Sequence, residues 1–74
     1  MKSNADRIEF MRFAACNELR EARKAYTLRN LPKLSDILER VNGYYRVDII
    51  SELAYNRVWD MYSLLRYGRR VRDD

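Results

Sequence analysis

Tyr55, Trp59, Tyr62 and Arg66 follow one another at intervals of four, three and four residues, and on a helix that spacing sets all four along a single strip. The chemistry such a strip could do is recognition. Large rings bury much area while keeping a polar handle at the edge, and Trp, Tyr and Arg are the residues most enriched at binding hot spots. Arg69 and Arg70 continue the run, and from Arg57 to Arg72 five arginines face one acid, Asp60. A guanidinium pairs bidentately with carboxylate or phosphate and stacks on aromatic faces, so this end of the chain suits an acidic partner. A solvated charged face is the competing reading. Trp59, the largest side chain, is assigned to the core, while Tyr55 and Tyr62 stay open between core and surface.

The residues that usually carry catalysis are missing. There is no histidine, the commonest proton-transfer group near neutral pH and the commonest transition-metal ligand. One cysteine without histidine cannot complete a tetrahedral zinc site, and no acidic run has calcium-loop spacing. Gly43 and Gly68 are isolated and read as helix terminators rather than a phosphate-cradling loop. Glu18 with Glu21, and Asp48 with Glu52, place carboxylates on common helix faces, yet they lie close to Arg20, Lys24 and Arg46 and read as ordinary surface charge. Cys16, among Ala14, Ala15 and Leu19, has no base to activate it and is expected to be buried and inert. The expectation is therefore no enzyme, no cofactor and no metal.

Three helices must position the strip. Ile8, Met11, Ala15, Leu19, Ala22 and Tyr26 recur at threes and fours and predict a first helix from Asn4 to about Arg29, with Asn4 as N-cap and Asp6 and Glu9 near the positive end of its dipole. Phe10, Phe13 and Ala14 broaden the stripe and suggest cover on more than one side. Asn30-Leu31-Pro32 interrupts the pattern, since proline is accommodated in a first helical turn but disfavours helical geometry before it. Leu34, Ile37, Leu38 and Val41 then form the apolar face of a second helix, with Asp36 and Arg40 as a surface pair and Asn42-Gly43 as its end. Tyr44 to Val47 reads as a loop. Asp48 is expected to cap a third helix reaching about Tyr67, with Ile50, Ala54, Val58, Met61 and Leu65 as its stripe and Gly68 as its stop.

The result is an all-α reading: one domain over residues 1–74, a three-helix bundle with room for a short fourth helix, and a basic tail over 69–74. With 47% hydrophobic residues, two Gly and one Pro, the chain has material for a core and few backbone breaks. A core of this size stabilises by only about 3 to 5 kcal/mol, so a partner or a homodimer has room to contribute. No apolar run reaches the roughly 18 residues that would suggest a bilayer span, and a single cysteine fits a reduced compartment, so a cytoplasmic location is expected.

Leu34-Ser35-Asp36, followed by Glu52-Leu53 and by Asn56-Arg57-Val58-Trp59-Asp60, resembles the Hha/YmoA family of small helical nucleoid-associated proteins that bind H-NS-type silencers. Met11-Arg12 with Cys16 matches that family's first helix, and the resemblance implies that Asp48 and Glu52 face the silencer. In size, in lack of catalytic residues and in its arginine and aromatic surface, the whole chain also resembles the short basic proteins with which bacteriophages redirect host RNA polymerase. Both resemblances imply transcription control through protein contact in a bacterial or phage-infected cell. The leading expectation is a polymerase-binding regulator in which Arg66, Arg69 and Arg70 engage acidic groups while Tyr55, Trp59 and Tyr62 anchor. Direct DNA or RNA binding through the arginine-rich end, and a homodimer that buries the aromatic strip, stand beside it.

Overall fold

The computed structural model describes residues 4–69, with side chains from Asp6 onward. It contains three helices, α1 (Asn4–Thr27), α2 (Leu31–Arg46) and α3 (Glu52–Tyr67), and no strand among the described residues. This is the all-α three-helix bundle, without a short fourth helix in the described span. No helix is long and apolar enough to cross a membrane. The side chain of Asn4, expected to cap α1, is not among the described side chains, and Arg70 with the rest of the tail lies outside the described residues.

The core is built around α2, whose Leu34, Ile37, Leu38 and Val41 are buried against Ala22 and Ala25 of α1 and Val58 and Tyr62 of α3. Leu19, Ile50, Met61 and Leu65 close its margin. Small side chains at Ala15, Ala22 and Ala25 leave α1 without bulk on its inner face, which lets α2 come close. Two ion pairs tie α1 to α2 beside this seam. Arg40 Nε donates to Glu18 Oε2 at 2.9 Å, and Lys33 Nζ lies 3.5 Å from Glu21 Oε2. Glu18 and Glu21, one of the two carboxylate pairs noted in the sequence, are thus engaged between helices, and Arg40 turns to Glu18 rather than to Asp36.

The helix ends differ from the sequence expectation for a physical reason. α2 runs through Gly43 to Arg46, so Tyr44 and Tyr45 form its last turn instead of a loop. Its stop is a left-handed residue at Asp48, φ 61°, with Asp48 N–H donating to Tyr45 O and Ile49 N–H donating to Tyr44 O. This pair of bonds is the Schellman closure, which meets carbonyls the helix leaves over. α1 ends the same way, with Arg29 at φ 55° donating to Tyr26 O and Asn30 donating to Ala25 O. Asp48 therefore closes α2 and does not cap α3. That task falls to Ser51, whose hydroxyl accepts from Ala54 N–H. Asn30 caps α2 by accepting from Lys33 N–H, with Pro32 in the first turn, and Gly68 ends α3 at φ 75°.

At about 1.5 Å per residue, α1 is roughly 36 Å long and the other two helices roughly 24 Å, so α1 overhangs its partners. Full burial on α1 begins at Ala15. Phe10 and Phe13 are 68% and 73% exposed among the described residues. Cys16, one residue on from Ala15, rotates about 100° off the inner face and is exposed rather than buried. The Cα radius of gyration of 13.2 Å exceeds the roughly 11 Å of a compact chain of this length, as the overhang requires.

Candidate binding surface

Tyr55, Trp59, Tyr62 and Arg66 share one strip of α3, as their spacing predicts, and the structure joins them into a connected ledge. Tyr62 is the inner member, 8% exposed, with its ring in the core beside Val58. Trp59, expected in the core, is 36% exposed and lies along the outer edge. The inner face of α3 is set by Val58, and Tyr62 four residues later stays on it, whereas Trp59 is turned away by one helical step.

Each ring is held by a neighbour. The Tyr45 ring, at the end of α2, stacks on Tyr55 with centroids 4.4 Å apart and planes within 5°. Trp59 Nε1 donates to the Tyr55 hydroxyl at 2.6 Å, which leaves that hydroxyl's own proton available to donate outward. Trp59 meets Tyr62 edge to face, 5.8 Å between centroids. Arg66 Nη1 donates to the Tyr62 hydroxyl. The guanidinium carbon lies 5.8 Å from the Tyr62 centroid and 5.2 Å from that of Tyr67. The Tyr62 hydroxyl hydrogen bond, followed by the electrostatics of Tyr62 and Tyr67, raises the Arg66 pKa above its ordinary value. Arg66 itself stays exposed, so the charge is presented to solvent at a set position.

Beside the ledge, Ser35, Leu38, Glu39 and Asn42 of α2 and Tyr55, Trp59 and Tyr62 of α3 line a cleft of about 240 Å³. Its floor is apolar, through Leu38 and Tyr62, and its α2 wall is polar. A cleft of that size has room for about one large side chain.

No family model, curated protein or solved structure matches this chain. What the surface can do must therefore be argued from its own groups. Among the described residues no cluster of acids and cysteine could hold a metal ion.

The structure places Arg69 next to Gly68, exposed beyond the end of α3, so it extends the ledge along the chain. Arg70 is outside the described residues. Asp48 and Glu52, the pair implied by the Hha-like resemblance, are both exposed, but Asp48 sits in the turn between helices and shares no helix face with Glu52. Two members of the ledge escape the sequence reading, Tyr45 and Tyr67. Tyr45 had a signal: Leu34, Leu38, Val41 and Tyr45 continue α2's own stripe at four, three and four once the helix is carried through Gly43.

Proposed function

We propose that this chain is a small non-enzymatic regulator of transcription that acts by protein contact, binding bacterial RNA polymerase through the ledge of α3. The observation that carries the reading is the organisation of Tyr45, Tyr55, Trp59, Tyr62 and Arg66 before any partner is present. Rings and guanidinium are already fixed by stacking and hydrogen bonds, so little side-chain freedom is lost on binding. Trp59 and Tyr55 are the anchors, the cleft beside them takes a partner side chain, and Arg66 and Arg69 pair with acidic groups. The choice of polymerase rests on the likeness in size and character to phage-made polymerase binders. Such a protein acts by favouring one conformational state of its target, and its effect is bounded by its differential affinity for the states.

The test is capture of partners by the tagged chain from nuclease-treated bacterial lysate, followed by binding to purified polymerase. Polymerase subunits retained after nuclease, and lost with Trp59→Ala, support the reading. Recovery of an H-NS-type silencer instead moves the chain to the Hha-like alternative. Nucleic acid is the second reading, favoured by the exposed pairing of Arg66 with Tyr67, which offers both a phosphate contact and a ring for stacking. That reading expects binding to purified DNA or RNA alone, falling steeply as salt rises.

A further inference from the structure

The outer face of α1, turned away from α2 and α3, carries Asp6, Phe10, Phe13, Asn17, Arg20 and Lys24, all exposed. Their spacing is four, three, four, three, four, the interval of a two-helix seam, with a phenylalanine pair near one end and the polar positions around it. The inner face of the same helix is taken by Ala15, Ala22 and Ala25, so α1 has a second stripe that the described residues leave exposed. Along this stripe the charge changes sign, from Asp6 before the phenylalanines to Arg20 and Lys24 after them.

We propose that this stripe pairs with the same stripe of a second copy of the chain, antiparallel. The charge order decides the direction. A parallel pair would set Asp6 against Asp6, Arg20 against Arg20 and Lys24 against Lys24, each a like-charge contact. Reversing one helix brings the Asp6 end of each copy toward the basic end of the other. The pair is then symmetric about the midpoint between Phe10 and Phe13, so each Phe10 faces Phe13 of the second copy and the two-fold closes without a free end. Asp6 comes opposite Asn17 of the second copy, and Arg20 reaches back toward Asp6. A shallow depression of about 300 Å³, lined by Asp6, Arg7, Phe10 and Met11, lies beside Phe10 and offers the incoming ring a seat.

Area sets the strength. Two phenylalanine rings per chain remove on the order of 300 Å² of largely apolar surface from water, with the rest of the stripe adding to it, against about 800 Å² per partner for a standard stable interface. The dimer is therefore small and reversible, formed on concentration and lost on dilution. It leaves the ledge of α3 free, and it stands whether or not the proposed polymerase contact does.

Sedimentation of the full chain over a range of concentrations tests it. The wild type should pass reversibly from monomer to dimer. Phe10→Ser with Phe13→Ser should raise the dissociation constant by at least about tenfold at unchanged helical content, and Trp59→Ala should leave dimerisation as in the wild type. Arg20→Glu should weaken the dimer, and Asp6→Arg added to it should restore it. A wild type that remains monomeric at the highest concentrations, or a double serine variant that dimerises undiminished, overturns the proposal. An Arg20→Glu dimer as tight as the wild type would overturn the antiparallel arrangement, since a parallel pair merely exchanges one like-charge contact for another.

Discussion

Two aromatic regions of this molecule behave differently. In the ledge along α3, each ring has a polar edge and a neighbour: Tyr45 of α2 on Tyr55, Trp59 on Tyr55 and Tyr62, Arg66 on Tyr62 and Tyr67. On the overhang of α1, Phe10 and Phe13 have neither a polar edge nor a ring partner within the chain. A tyrosine or tryptophan can rest at a water boundary because its body packs while its N–H or O–H bonds. A phenylalanine there has only area to offer, and that area favours being covered. The ledge is thus ready as it stands, while the overhang is incomplete until something lies against it.

The largest expected effect separates both surfaces from the covered centre. Leu34→Ala, which empties a fully buried position, should lower unfolding free energy by about 2 to 5 kcal/mol in chemical denaturation, whereas Phe13→Ala in the dilute chain should change it by less than about 0.5 kcal/mol. Comparable losses from the two would break the contrast between covered and uncovered side chains. Next comes Trp59→Ala, which should weaken partner binding by about 2 kcal/mol, near thirtyfold by titration calorimetry, at nearly unchanged helical content. Collapse of the fold instead would mean that Trp59 belongs with the core and not with the ledge.

A smaller pair concerns the turn that brings Tyr45 over Tyr55. Asp48→Gly relieves a left-handed backbone at φ 61° and should raise thermal stability by about 1 kcal/mol. Gly43→Ala places a methyl group in open helical space and should add about 0.5 to 1 kcal/mol. Loss of stability in either variant would show that the last turn of α2 is held differently. The smallest effect is expected at the α1–α2 margin. Glu18→Gln, which removes a partly exposed ion pair with Arg40, should cost less than about 1 kcal/mol, and the difference from wild type should shrink as salt is raised.

Much of this arrangement was legible in the residues. Leu34, Ile37, Leu38 and Val41 at threes and fours named the centre of the core, and Gly68 named the end of α3. The end of α2 was hidden because Gly43 has the composition of a stop but not its geometry. The helix runs past it to Arg46, with Tyr45 stacked on Tyr55, and an aspartate takes the left-handed position that glycine favours. Ring size misled at Trp59, since which side of a helix a residue occupies depends on its angle and not on its volume. Cys16 misled likewise, its apolar neighbours in sequence lying one helical step away from it in space. The strip on α3 was visible as spacing alone. Its hydrogen bonds join the strip's own members, while the added ring contacts come from Tyr45, in a turn that sequence assigned to a loop, and from Tyr67, the final residue of the helix.

The Cα trace measures 47 × 27 × 13 Å, little more than one helix thick in its shortest direction. In such a plate α2 packs most heavily on both of its neighbours while α1 and α3 touch each other less, and the time for which each amide stays shielded from solvent follows from that. Backbone hydrogens around Ile37 and Val41 can exchange with deuterium only when the whole plate comes apart, those of α3 when one side peels away, and those of the first turns of α1 almost as soon as the chain meets heavy water.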